Sequence, residues 1–327
     1  MTDSIRENLR LILDKMIKIK PGQSLLIVAE PLARAKSMAY TFTEMASSMG
    51  VDTVIALMEP RTHTGHEPPP SIAAAMKAAD ITINITETAS IGHTTARKEA
   101  REAGKKFFIF GIEESELYFK DPVSFKELEV VKERTEKLAE MMAKASVARA
   151  TTPYGTDVTM SLEGRDALPL SPLSGGAGIP LYGEAAISPV EGTTEGVIVA
   201  DASVRGWGYV LRKPIRFEVK KGKIQVETVQ SDIAEQADRL KKIVLMDKKA
   251  CNCAAELGIG TCHIGSKLLR GTRYSDYALT GTFHIACGRN NDIGGATLST
   301  VHQDVLMTDG TVKLDDTVVL ENGELKI

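Results

Sequence analysis

The chain has 327 residues, of which 43% are hydrophobic, 25% charged and 5% aromatic, with a net charge of -3. That is enough apolar material for a sizeable core and enough length for two domains. A nearly neutral, aromatic-poor chain lacks the basic footprint of a nucleic-acid or membrane binder and has no stacking platform for single strands.

The N-terminal stretch MTDSIRENLRLILDKMIKIK reads as an amphipathic helix over Ile5–Lys18, entered through a cap at Thr2, Asp3 and Ser4. It has no charged-then-apolar signal-peptide pattern, and no apolar run approaches the roughly 20 residues of a membrane span. Four cysteines are too few for a secreted disulfide scaffold. The expectation is a cytoplasmic protein with reduced thiols.

From there the pattern alternates. SLLIVAE (24–30) precedes a helix over Leu32–Met49, and VDTVIALM (51–58) precedes the loop EPRTHTGHEPPP and a helix over Ser71–Ala79. ITINIT (81–86) precedes the helical HTTARKEAREAG, and KKFFIFG (105–111) closes the series. Short β-branched runs separated by helices predict an α/β domain, residues 1–146, with a parallel sheet covered on both faces. After a charged helix over Ser124–Lys144, strand-like runs dominate: DVTMSLEGR, GVIVADASV, IRFEVKKGKIQVETV and TVKLDDTVVLENGELKI. Residues 147–327 are therefore expected to form an α+β, mostly antiparallel domain, with hairpins at KKGKI and LENGELKI.

No GxGxxG follows SLLIVAE, and neither GxxxxGK[ST] nor GxSxG occurs, so nucleotide binding and a serine-nucleophile elbow have no support. The metal-competent residues lie in the second half. GTFHIACG puts His284 in an apolar, glycine-bounded run, and LSTVHQDVLM puts His302 and Asp304 two apart in another. In a strand, i and i+2 share a face, so an imidazole and a carboxylate converge there. Asp304 among Val, Leu and Met needs a cation or several donors. CNCAAELGIGTCH (251–263) looks at first like a zinc knuckle. Its C-x-C spacing has no matching second pair, so the cysteines read as small buried hydrophobes.

Five patches resemble the M29 family of metallo-aminopeptidases, the aminopeptidase T and S type: LYGEAAISPVEGTTEG (181–196), AAELGIGT (254–261), GTFHIACG (281–288), VHQD (301–304) and GHTTARKEAREAG (92–104). TDVTMSLEGR (156–165) is similar as well. The resemblance implies two divalent metal ions (Zn, Co or Mn) in the second domain, held by Glu184, Glu256, His284, His302 and Asp304, with Glu184 and Glu256 also catalytic. It implies hydrolysis of the N-terminal bond of a peptide or small amide substrate, and a homodimer. The family's catalytic tyrosine is missing: Asn291 stands where it is expected, with Arg289 or Asn290 as the groups left to polarise a carbonyl. Asp276 is the nearest match to the family's acid ahead of the strand histidine.

A related branch comprises the mononuclear iron enzymes that open 2,5-dihydroxypyridine, a ring-cleaving dioxygenase alternative. There the position of Glu256 is a histidine and those of Glu184 and His284 are apolar, so the peptidase-type residues here put the hydrolase first. A third reading is a catalytically altered homologue that binds metal or a small molecule without turnover. His263 reads as structural or pocket-lining, and His63 and His66 as part of an exposed polar loop. His93 and Arg97 open a helix whose N-terminus could hold a substrate carboxylate.

Overall fold

The computed structural model describes residues 3–87, 89–112, 115–116, 118, 124–174, 182–264, 269, 271 and 275–327. The chain divides into two compact units, Met1–Lys132 with Leu170–Tyr182 and Glu133–Pro169 with Gly183–Ile327.

In the first unit the four β-branched runs become β1 (Ser24–Ala29), β2 (Asp52–Leu57), β3 (Ile81–Thr86) and β4 (Lys106–Gly111). They form one parallel sheet in the order β2-β1-β3-β4, with Ile27 level with Ile55 on one side and Ile83 on the other. Helices α2 (Ala33–Ser48), α3 (Pro70–Ala78) and α4 (Thr95–Glu102) connect the strands. Leu26 and Val28 pack against Ile72 and Met76 of α3 and Ala96 and Ala100 of α4. On the other face Phe42 of α2 meets Phe110 edge-on at 4.9 Å. The expected parallel sheet with helices on both faces is therefore borne out.

The first helix differs from its expected form. It starts at Asp3, with Thr2 outside the described residues, and runs as α1 (Asp3–Leu11) into a π-helical turn, Ile12–Ile17. The wider turn buries Ile12, Leu13, Met16 and Ile17 together, and Lys18 ends it at φ 55°. Among the described residues no helix is long and apolar enough to cross a membrane.

The helix Phe125–Lys144 begins with a capping box: Glu127 N–H donates to Ser124 Oγ, and Ser124 N–H donates to the Glu127 carboxylate. Beyond it the strands are antiparallel, as expected. An eight-stranded sheet contains β5 (Val147–Thr151), β6 (Asp157–Ser161), β9 (Glu195–Ala200), β11 (Ile215–Lys220), β12 (Lys223–Ile224), β16 (Thr311–Leu314), β17 (Thr317–Glu321) and β18 (Glu324–Leu325). The hairpins turn at Lys221-Gly222 (φ 50° and 65°) and Asn322-Gly323 (φ 49° and 78°). Two consecutive positive φ values are what a two-residue primed turn requires.

A six-stranded sheet completes the unit in the order β10-β15-β14-β13-β8-β7. Its members are β7 (Ala167–Leu170), β8 (Glu184–Ile187), β10 (Ser203–Val204), β13 (Cys253–Gly260), β14 (Phe283–Gly288) and β15 (His302–Met307). Leu257, Ile259, Phe283, Ile285, Val305 and Met307 share one core with Val158, Met160, Ile198 and Phe217 of the larger sheet. One face of the smaller sheet is thus used up in the core, and strand alternation turns every second residue to the other face.

Candidate metal centre

The other face carries the charges. Register puts Asp304 of β15 level with Ala286 of β14 and Glu256 of β13. Leu306, His284, Gly258 and Ala186 form the next row across β15, β14, β13 and β8, and Gly260 with Glu184 the row after. His302, level with Gly288, stands at the opposite end. All five expected ligands therefore project from one face, over a floor of alanine, glycine and Leu306. An irregularity between Cys253 and Glu256 slips β13 along β14, so that Glu256 stands level with Ala286 rather than beside His284. This places it centrally among the other four.

Gly258 shows how tight the space is. A Cβ there would lie 2.2 Å from His284 Cε1 and 2.6 Å from Glu184 Oε1. Only glycine leaves room for both side chains.

The donors are close. His284 Nε2 is 3.4 Å from Glu184 Oε1, and His302 Nε2 is 3.1 Å from Glu256 Oε2 and 3.0 Å from Asp304 Oδ1. Glu184, Glu256 and His284 each offer one donor atom within 4.8 Å of the others, a set able to hold a metal ion. None of the five residues is more than 3% exposed. His302 Nδ1 lies 2.7 Å from the Arg289 carbonyl, which can only accept, so Nδ1 carries the proton and Nε2 faces the carboxylates.

Three buried carboxylates this close need positive charge. Burial lowers both imidazoles, but Glu184 raises His284, and Asp304 with Glu256 raises His302 well above the ordinary value. Burial raises Glu256, reinforced by Glu184 and opposed by His302. Burial also works against ionised Asp304, yet Arg205 and His302 hold its carboxyl well below the usual range. The upward push on both imidazoles reports the same excess of negative charge that a cation would neutralise. His284 Nδ1 is buried without a hydrogen-bond partner among the described residues, and Asp304 Oδ1 faces only His302 Nε2 at 3.0 Å. A mix of carboxylate oxygens and imidazole nitrogens with such an orphaned atom fits a divalent cation.

The other expected residues fall elsewhere. The Arg289 guanidinium, 2% exposed, lies 3.8 Å from Asp292, and what Arg289 brings to the cluster is its carbonyl. Asn290 braces a turn through Glu191 and Thr297, and Asn291 N–H donates to the Thr297 carbonyl in that turn. Asp276 accepts from Gly271 N–H. His263 is exposed. His63 and His66 stack at 5.3 Å beside the Thr62 hydroxyl. The N-terminus of α4 already holds a carboxylate, since Thr95 and Ala96 N–H donate to Glu67, which is where a substrate carboxylate was expected.

The thiols are spectators. Cys253 and Cys287 face each other on the core side, where burial pushes Cys253 up to about 12 and Cys287 well above the ordinary range. Among the described residues no cysteine joins a metal-competent cluster.

Two residues near the cluster have no motif to announce them. Arg205 Nη1 lies 2.6 Å from Asp304 Oδ2, and the Tyr277 ring meets His284 edge-on at 5.2 Å. The available signal was the demand of a buried aspartate for a cation.

Residues 12–327 match the family described as NicX: 2,5-dihydroxypyridine 5,6-dioxygenase. The chain belongs to this family. Two solved structures resemble this NicX-family chain throughout. The 2,5-dihydroxypyridine dioxygenase of Pseudomonas putida KT2440 has a TM-score of 0.79 at 15% identity, covering 100% of this chain and 98% of that one. Wild-type AmpT from Thermus thermophilus has a TM-score of 0.69 at 15% identity, covering 99% of each. At that identity both likenesses show the fold alone, which is the M29-like two-domain fold expected from the sequence. No curated protein matches. The family match favours the ring-cleaving branch that the sequence put second, whereas the donor set keeps the residues of the peptidase branch.

Proposed function

We propose that this NicX-family chain is a metal-dependent hydrolase that holds two divalent cations (Zn, Co or Mn) on Glu184, Glu256, His284, His302 and Asp304. Its substrate in this reading is a peptide or small amide with a free N-terminus. The observation that carries it is the donor count: three carboxylates and two imidazoles on one buried face, with Glu256 central. A single-iron site needs only two histidines and one carboxylate. When bound, the two cations would supply Lewis acidity and lower the pKa of a water between them. The chain's own residues orient the donors: the Arg289 carbonyl sets the His302 ring, Arg205 fixes Asp304, and Gly258 keeps His284 and Glu184 side by side. The homodimer belongs to the same proposal, and light scattering on the purified protein tests it.

The family match favours a second reading, a mononuclear Fe(II) ring-cleaving dioxygenase whose site would draw on His302 and Asp304, with Glu256 where that branch carries its other histidine. Metal analysis of protein purified without chelators separates the two. About two divalent ions per chain, with turnover of amino-acid p-nitroanilides, supports the hydrolase. One iron per chain with oxygen uptake on 2,5-dihydroxypyridine overturns it. Binding of metal without turnover of any amide points to the altered homologue, the reading favoured by Asn291 in place of the tyrosine.

A further inference from the structure

The two imidazoles of the cluster are held in different ways. His302 is fixed through its far nitrogen, since Nδ1 donates to the Arg289 carbonyl at 2.7 Å. His284 has no such anchor: its Nδ1 is buried and has no hydrogen-bond partner among the described residues. A metal-binding imidazole ordinarily owes its ring orientation to a bond at the nitrogen that faces away from the ion. For His284 that orientation has to come from packing.

Two neighbours supply it. One is Gly258, where a Cβ would collide with His284 Cε1 and Nε2. The other is Tyr277, whose ring centroid lies 5.2 Å from that of His284 with the planes at 77°. Tyr277 is 1% exposed and packs with Ala202 and Leu306. Leu306 is level with His284 in the sheet, so the tyrosine ring lies over the row that carries the imidazole. The backbone on either side of Tyr277 is tied to the same strands. Cys262 N–H, just after β13, donates to the Ala278 carbonyl at 2.8 Å. The Thr282 hydroxyl, just before β14, donates to the Asp276 carbonyl at 3.0 Å. The tyrosine hydroxyl is buried without a hydrogen-bond partner among the described residues, which leaves the ring as the part that acts on His284.

We propose that Tyr277 is a positioning residue for His284. Its ring does for this imidazole what the Arg289 carbonyl does for His302, holding Nε2 toward Glu184, 3.4 Å away, so that both groups meet one cation. The inference rests on His284 being a cation ligand, as the two-cation reading has it, and the test separates the two. Full-length protein is titrated with Co2+ in chelator-buffered solution, the visible absorption of the bound ion is recorded, and ions per chain are counted by elemental analysis. His284→Ala identifies the binding step that depends on this imidazole. Tyr277→Leu is expected to weaken that step about three- to tenfold, the worth of an edge-to-face ring pair, and to shift its absorption. The other step should move less than about twofold. Tyr277→Phe keeps the ring and should restore both affinity and spectrum to those of the wild type.

Equal weakening of both steps in Tyr277→Leu overturns the inference, because the tyrosine would then be supporting the fold in general. Unchanged binding and spectrum in Tyr277→Leu, or a loss in Tyr277→Phe as large as in Tyr277→Leu, overturns it as well. A single ion per chain that is lost in His284→Ala, and shifted in Tyr277→Leu but not in Tyr277→Phe, supports the inference while removing the two-cation reading. Full retention of cobalt in His284→Ala overturns both. If Tyr277→Leu does not fold, Tyr277→Met, which fills the space flexibly without a ring, is read by the same outcomes.

Discussion

Both units bury polar side chains within apolar strands, and they satisfy them differently. In β3, all six residues are buried, including Thr82, Asn84 and Thr86. Asn84 donates to the Val28 carbonyl at 3.2 Å and accepts from Ile91 N–H at 3.1 Å. Glu30, 2% exposed, accepts from the Thr86 hydroxyl at 2.5 Å and from Glu87 N–H at 2.9 Å. Asn84, Thr86 and Glu30 find local donors and acceptors there, as buried polar atoms in a structural role do, and the Thr82 hydroxyl is the exception among them. In β13, β14 and β15 the buried groups are carboxylates and imidazoles facing one another, with atoms left over. The first arrangement is closed around Asn84, Thr86 and Glu30; the second leaves a donor set that could hold a cation.

That contrast can be broken by substitution. The largest effect is expected for Glu256→Ala, which removes the central carboxylate: cation binding should fall at least 100-fold, read by elemental analysis after dialysis. Gly258→Ala should cost about 2 kcal/mol of stability through overpacking and disturb cation binding as well, measured by denaturant unfolding with and without metal. In the closed arrangement, Asn84→Ala should cost about 1–2 kcal/mol and leave the ions per folded chain unchanged. A change in cation count there would erase the distinction between the two regions.

A smaller effect concerns Asp247, which braces the turn before β15. Burial alone would raise its carboxyl. The Thr300 and Lys249 N–H groups and the Ser299 and Thr300 hydroxyls hold it down to about 2, from an ordinary 3.8. A depressed carboxyl stabilises the fold above its unfolded pKa, and this contribution is lost as pH falls from about 4 to about 2. Asp247→Asn should cost about 1 kcal/mol at neutral pH and flatten that limb of an acid titration followed by circular dichroism. Smallest of all, Cys253→Ser should leave cation binding within about twofold of wild type, because this thiol belongs to the opposite face of the sheet. A large loss of metal would restore the thiolate reading of CNCAAELGIGTCH.

Much of this was legible in the sequence. The alternation of β-branched runs and helices is a local signal, and it located β1 to β4 within a residue or two. The period of two made His302 and Asp304 neighbours, and their Nε2 and Oδ1 lie 3.0 Å apart. His284 stood out by its apolar, glycine-bounded run, but Glu184 and Glu256 came from family resemblance, since no local rule joins residues on separate strands. Arg205 stayed hidden because its partner is 99 residues away and the pairing of β10 with β15 is a tertiary event. The slip between Cys253 and Glu256 was equally silent: register depends on the partner strand, not on the segment's own pattern. Glu67 at the start of α4 shows the same limit, because a helix N-terminus reads as vacant until the rest of the chain is placed.

The most direct test is a crystal of the metal-loaded protein, with anomalous data collected on both sides of the absorption edges of zinc, cobalt, manganese and iron. Two anomalous peaks are expected, one among Glu184, Glu256 and His284 and the other beside His302 and Asp304. A single peak at the iron edge, or a peak at Cys251 and Cys253 with none among the five donors, would contradict the account.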